Sequence, residues 1–218
     1  MKKILIIADS VGNSRIFPKN EKVLLEKTYP YIIKKNVDDA EFYQLSYGGV
    51  FTGDLIFQAR AYLMDWNPDI IIVGSGINDS RPKSLSTELK KNFKIFKLKI
   101  VQKFLERFQN LFIFKRFTNS SVPNKIFKKN LESLKKTFSG SKIFWIEIAC
   151  HDDYEKSRPG VIRLKKEFNK LIEEIFGNNL IKVDKILNDK KLFNGDSIHL
   201  NELGHEVVAN QVIKKIRN

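Results

Sequence analysis

A three-layer α/β/α sandwich built on a parallel sheet of about five strands is what this 218-residue sequence predicts. Three observations predict it. Short apolar runs recur along the chain and are separated by stretches with helical spacing, an order that demands parallel pairing and right-handed crossovers. The runs are unbroken, as in Ile4-Leu5-Ile6-Ile7, which marks strands covered on both faces. The length suits one domain, and 42% hydrophobic residues with 17 Phe can fill a large core.

Taken in order, the Ile4–Ile7 strand runs into Ala8-Asp9-Ser10-Val11-Gly12-Asn13, so Ser10 stands at a strand's carboxyl end, where open α/β sheets bind ligands. Residues 21–35 carry Val23, Leu24, Tyr31 and Ile32 and predict a helix interrupted near Pro30. Residues 41–47 predict a second strand, broken by Gly48-Gly49. Residues 54–66 predict a helix through Leu55, Ala59, Tyr62 and Leu63, with Asp54 as N-cap, and Asn67-Pro68 ends it. Asp69 to Ser75 predicts the most buried strand and Lys142 to Ala149 a fourth. A helix over 159–176, a short strand over 180–183 and a last helix over 201–216 complete the series.

The segment 84–142 breaks this rhythm, because a single crossover needs only about a dozen residues. It holds 15 Lys and Arg against 3 Asp and Glu, a net of +12 out of the chain's +14, and nine of the 17 Phe. Phe93, Phe96, Ile100, Phe104, Phe108 and Leu111 trace one helical stripe. The organisation read from this is a single domain over 1–218 with a basic, Phe-rich helical insertion at about 84–142. The stripe either packs on the sheet or docks on an anionic membrane surface or a polyanionic glycan.

Composition excludes a disordered chain, and no run approaches the ~18 apolar residues of a membrane span. The first apolar run is too short for a secretory h-region, so the expected location is cytoplasmic, with a membrane-peripheral position open through 84–142. Cys150 is the sole cysteine and permits no internal disulfide. His151 with Asp152-Asp153 does not make a closed ligand set, so no metal and no cofactor is expected. A basic pI does not by itself select a nucleic acid, and no specific nucleic-acid partner is expected.

A serine hydroxyl needs a base, and a base works best when a carboxylate fixes its tautomer. Three histidines are available: His151, His199 and His205. His199 lies in Asn194-Gly195-Asp196-Ser197-Ile198-His199, where a tight turn can set Asp196 on the imidazole, although Asp196 could equally cap the turn alone. The end of the third strand, Gly74-Ser75-Gly76-Ile77-Asn78-Asp79, offers close backbone approach and an amide donor at the same sheet edge. Asp9 reads as an acceptor for loop N–H groups, His205 as a core or surface residue of the last helix, and Cys150 as a buried small residue.

Asp9-Ser10, Gly49, Gly76-Ile77-Asn78-Asp79 and Asp196-Ser197-Ile198-His199 occur in the order of the four blocks of the SGNH hydrolases, the GDSL-like lipases and esterases, which the chain resembles from residue 9 to residue 199. The resemblance implies a flavodoxin-like sandwich and assigns Ser10 as nucleophile, His199 as general base and Asp196 as the orienting acid. It implies an oxyanion hole of Ser10 N–H, Gly49 N–H and the Asn78 side chain. Ala8 replaces the usual glycine, and the second block lacks its usual Asn, which leaves Gly48 and Gly53 as rivals to Gly49. Arg15 and Arg81 follow two of the blocks closely and are read as candidate holders of an anionic substrate group.

The function expected is a serine esterase acting through an acyl-enzyme on an O-acyl ester, an O-acetyl group in first place, of a carbohydrate or lipid-linked glycan. A thioesterase or lysophospholipase of the same family comes second. From other classes, a flavodoxin-like binding module would leave His199 and Asn78 without a task, and a surface binder built on 84–142 would use the sheet as scaffold. The sequence is silent on oligomeric state.

Overall fold

The computed structural model describes residues 1–83 and 119–217. Among them five strands, β1 (Lys2–Ala8), β2 (Ala40–Ser46), β3 (Ile70–Gly74), β4 (Lys142–Ile146) and β5 (Leu180–Ile181), form one sheet in the order β2-β1-β3-β4-β5, every neighbour parallel. The strand order reverses between β1 and β3, since the chain steps from β1 outward to β2 and then back past it. That is the switch point where a crevice opens beyond the strand ends. Ser10 follows one of these strands and Asn78 the other.

The helices are α1 (Tyr29–Asn36), α2 (Thr52–Leu63), α3 (Ile77–Ser80), α4 (Asn124–Thr137), α5 (Tyr154–Ser157), α6 (Val161–Phe176) and α7 (Glu202–Arg217). Alternate strand residues face opposite layers. Leu5, Ile7, Ile71, Val73, Ile143 and Trp145 pack with Leu55 and Ala59 of α2, Phe127 and Leu131 of α4, and Phe168 and Ile172 of α6. Ile4, Ile6, Ile70, Ile72, Phe144 and Ile146 pack on the other side with Tyr29 and Ile33 of α1 and Val208, Ala209 and Val212 of α7. Both faces are thus covered, which explains the unbroken apolar runs. Ile71, Ile72 and Val73 are fully buried, each contributing about 1.5–3 kcal/mol by transfer from water.

Several boundaries differ from the sequence reading. The helix expected over 21–35 begins only at Tyr29. Pro30 lies in its first turn, where a missing N–H costs no hydrogen bond, so it opens the helix instead of interrupting it. Val23 pairs instead with Arg15 in a short antiparallel bridge. Asp54 is not the N-cap of α2: it sits in the first turn and its carboxylate accepts the Phe51 N–H at 3.1 Å. The fourth strand ends at Ile146, because Glu147 turns its carboxylate to accept the N–H groups of Val183 and Asp184 at 3.0 and 2.9 Å.

The stretch 84–142, read as a helical insertion, includes an element of the sandwich itself. α4 buries Phe127, Leu131 and Leu134 against the sheet and is the ordinary crossover between β3 and β4, with its lysines outward. Lys83 N–H donates to Asn119 O at 2.9 Å and Ser121 N–H to Arg81 O at 2.8 Å, so residues 81–83 and 119–121 lie side by side. The Phe93–Leu111 stripe and the Leu111-Phe112-Ile113-Phe114 run lie outside the described residues.

Candidate active site

Ser10 opens a single helical turn immediately after β1, with Asp9 as its cap: Asp9 Oδ1 accepts the Val11 N–H at 3.0 Å. Asp9 is buried, and burial above all pushes its carboxyl up to about 6 despite the hydrogen bond from Val11. It serves the loop, as its position suggested.

His199 comes from a closed loop between Phe193 and Leu200, which pair with each other. Asn194 N–H donates to His199 O at 2.8 Å and Ser197 N–H to Asn194 O at 3.0 Å. Asp196 folds the loop's interior, its Oδ1 accepting the N–H groups of Ile198 and His199 at 3.1 and 3.0 Å. This geometry turns the two side chains toward each other. His199 Nδ1 lies 2.6 Å from Asp196 Oδ2, and His199 Nε2 lies 3.0 Å from Ser10 Oγ. The tautomer with a proton on Nδ1 donates to the carboxylate and leaves Nε2 free to accept from the hydroxyl. Residues 189 positions apart in the chain therefore form one relay.

Burial pushes the Asp196 carboxyl up, but the hydrogen bonds from His199, Arg15 and the loop backbone outweigh it and hold it well below the usual carboxylate range. The acid stays ionised wherever an enzyme of this kind would work.

The third block clasps the second. Asn78 Nδ2 donates to Val50 O at 3.0 Å, and Asp79 Oδ2 accepts both the N–H and the hydroxyl of Thr52 at 3.0 and 2.8 Å. Gly49, at φ 75°, is thereby held beside the strand ends. A Cβ added at Gly48 would stand 3.8 Å from Ser10 Cβ, so this turn lies against the serine. At Gly53 an added Cβ would come 2.8 Å from Asn130 Nδ2 of α4, so the absence of a side chain there makes room for that amide. The Asn78 amide carries a second hydrogen beyond the one given to Val50. Burial pushes the Asp79 carboxyl up to about 6.

Arg15 is the clearest departure. The sequence reads it as a holder of substrate, yet its Nη1 donates to Asp196 Oδ2 at 2.6 Å, its Nε to Phe17 O at 3.0 Å, and its Nη2 lies 3.5 Å from Glu21 Oε2. Glu21 is a participant that sequence reasoning misses, and no local pattern marks it: its other oxygen accepts the Gly195 N–H, 174 residues away. Arg81 stands beside Ser121, whose N–H its carbonyl accepts, and its charge reaches Tyr154, where it offsets part of the upward push that burial gives the phenol.

The remaining histidines are engaged elsewhere. His205 is buried, its Nδ1 accepts the Tyr29 N–H at 3.1 Å, and burial draws it down to about 4. His151 Nδ1 accepts the Asp153 N–H at 3.1 Å. Among the described residues no group of three or more His, Cys, Asp and Glu is placed to hold a metal. Cys150 is buried, and burial pushes its thiol up to about 11. Also among the described residues, no helix is long and apolar enough to cross a membrane.

No protein-family model and no curated protein matches the chain by sequence. Solved structures do match, and they define the fold as that of the GDSL/SGNH lipases and esterases. The lipase/acylhydrolase from Enterococcus faecalis superposes with a TM-score of 0.70 at 15% identity, over 100% of this chain and 96% of the other. The psychrotrophic esterase EstA from Pseudoalteromonas sp. gives 0.64 at 16%, over 100% and 97%. The acetylxylan esterase Axe2 from Geobacillus stearothermophilus gives 0.66 at 17%, over 99% and 94%.

Proposed function

We propose that the chain is a serine ester hydrolase of the SGNH type that removes a short O-acyl group, an O-acetyl group in first place, from a carbohydrate or lipid-linked glycan. The observation that carries this reading is the hydrogen-bonded relay Ser10 Oγ–His199 Nε2 and His199 Nδ1–Asp196 Oδ2, at 3.0 and 2.6 Å. As Ser10 Oγ attacks the ester carbonyl, His199 Nε2 takes its proton, and Asp196 stabilises the imidazolium without itself being protonated. Negative charge then gathers on the former carbonyl oxygen, where the N–H groups of Ser10 and Gly49 and the free Asn78 amide hydrogen would hold it. The proton passes from His199 to the departing alkoxide, which leaves an acyl group on Ser10. A water, deprotonated by His199, attacks that acyl carbon, and collapse of the second intermediate returns the proton to Ser10 Oγ.

Likeness to an acetylxylan esterase structure over 99% of the chain supports the small acyl group and the glycan. Likeness to a lipase/acylhydrolase supports the second reading, a lysophospholipase or thioesterase with a longer chain. Arg81 remains the candidate to hold an anionic group of the substrate. The basic residues of 84–142 would bring the enzyme to an anionic lipid surface or polyanionic glycan, each cation near a membrane adding about 1 kcal/mol. Hydrolysis of p-nitrophenyl acetate, butyrate and octanoate, with Ser10→Ala as control, tests the function. The acetyl reading requires kcat/KM to fall from acetate to octanoate and to vanish in the variant; a rise toward octanoate selects the second reading, and turnover that survives Ser10→Ala rejects both.

A further inference from the structure

We propose that Arg15 is a positioning residue: through the contact chain Gly195–Glu21–Arg15–Asp196, the loop that follows Ser10 fixes the carboxylate that orients His199. The proposal rests on the esterase reading above.

Four observations converge on it. First, Arg15 is itself held. Its N–H donates to Val23 O at 2.9 Å and its carbonyl accepts from Val23 N–H at 2.8 Å, so the side chain starts from a fixed strand-like anchor. Second, each guanidinium nitrogen faces a protein acceptor, namely Asp196, Phe17 O and Glu21. A planar fork filled on three sides sets a direction that a single-point ammonium cannot. Third, Glu21 grips the adjoining residue of the acid's own loop, Oε1 accepting Gly195 N–H at 3.1 Å. A Cβ on Gly195 would come 2.6 Å from that oxygen, so the contact depends on glycine. Fourth, Arg15 and His199 share one atom, Asp196 Oδ2, at 2.6 Å each, while Oδ1 takes two backbone N–H groups. All four acceptor sites of the carboxylate are then occupied, and the carboxylate cannot rotate without breaking several bonds at once.

The shared oxygen has an electrostatic consequence. The guanidinium and the imidazolium that forms on His199 therefore compete for the charge on one oxygen. The groups facing His199 are Asp196 and Ser10 directly, Asp9 behind the serine, and His205 on α7. His151 is joined to the loop through its N–H to Ser197 O at 3.0 Å, and Arg15 and Glu21 act through Asp196.

Steady-state kinetics of p-nitrophenyl acetate across pH, on the wild type and three variants, tests the proposal. Arg15→Met should lower kcat about 10–100-fold, leave KM within about twofold, and move the acid limb to higher pH. Arg15→Lys, which keeps the charge, should restore the limb. In an Asp196→Asn background Arg15→Met should cost less than about threefold more, since residues that act as a unit do not add. A raised KM with kcat intact, an unmoved limb, or an undiminished loss in the Asp196→Asn background would overturn the proposal and return Arg15 to substrate binding. Should Arg15→Met not fold, Glu21→Gln, which removes the ion pair that holds the guanidinium, should lower kcat in smaller measure with KM unchanged, and a wild-type kcat for it overturns the clamp. If the wild type has no Ser10-dependent turnover, the esterase reading fails by itself. The clamp is then judged without turnover, from hydrogen exchange of the Gly195 and His199 amides, which must accelerate in the Arg15 or Glu21 variant; unchanged exchange rejects it.

Discussion

Replacing Asp196 by Asn probes the site more sharply than removing it, because the substitution keeps shape and removes charge. Asp196 Oδ1 accepts two backbone N–H groups and Oδ2 accepts His199 Nδ1–H and Arg15 Nη1–H. An amide has one acceptor and one double donor, so either orientation sets an NH2 against two donors. With the oxygen at the Oδ1 position the loop survives, but the NH2 faces His199 and favours the tautomer whose Nε2 carries the proton. That imidazole can no longer accept from Ser10 Oγ. With the oxygen at the Oδ2 position the relay survives, but the turn loses the bonds that shape it, at about 1–3 kcal/mol. The first orientation keeps the fold and should dominate, so kcat should fall about 10³–10⁴-fold, or 4–5.5 kcal/mol of barrier, with KM nearly unchanged. Tm should drop by no more than about 12 °C, by size scaling for a domain of this length. Stopped-assay kinetics with p-nitrophenyl acetate and a thermal melt decide it. A folded Asp196→Asn protein within tenfold of wild-type kcat would show that another group orients His199, and the reasoning would fail.

Other expectations follow from the same geometry. Asn78→Ala removes the proposed oxyanion donor and should lower kcat by roughly 10²–10³ with little change in KM; an effect confined to KM would make Asn78 a substrate binder. Asp79→Asn should abolish a pH-dependent cost: the buried carboxyl titrates at about 6 in the folded chain against 3.8 for an unperturbed aspartate, so its favourable contribution is present at low pH and lost as pH rises toward 6 and above. The variant's Tm, relative to wild type, should therefore rise between pH 4 and pH 7, and a constant difference would contradict the assignment. His205 behaves oppositely. Drawn down to about 4 while an unfolded histidine sits near 6.5, it opposes stability as pH falls through that window, so His205→Gln should flatten the acid side of the stability curve measured by urea unfolding. For the basic stretch, flotation with anionic vesicles at low salt but not at high salt is expected, and no flotation at low salt would remove the docking role.

The parts of the site that sequence reveals are those whose geometry is local. Asp196 and His199 are three residues apart in one closed turn, and Ser10 and Asn78 each follow a buried apolar run, so motif and strand end coincide. What stays hidden depends on contacts across the fold. Arg15 and Asp196 are 181 residues apart, and only the docking of two loops tells a clamp from a surface charge. Pro30 shows a different limit: a proline reads equally well as a helix breaker or a helix opener, and the choice depends on Val23, whose apolar spacing suits a helix but whose backbone pairs with Arg15. The overextended fourth strand has the same origin, since Glu147-Ile148-Ala149 continues the apolar pattern while the Glu147 carboxylate binds the backbone beyond β5. α4 merges with the basic stretch in the sequence because composition records its outward lysines and buried phenylalanine together, without regard to face.

The central claim is that Ser10 is a nucleophile made reactive by His199. The measurement that tests it most directly is labelling by a serine-directed fluorophosphonate followed by peptide mass mapping. The account predicts a single adduct on Ser10, formed at a rate that falls at least ~10³-fold in His199→Ala while the protein remains folded. No adduct on Ser10, or labelling that proceeds equally without His199, would contradict it.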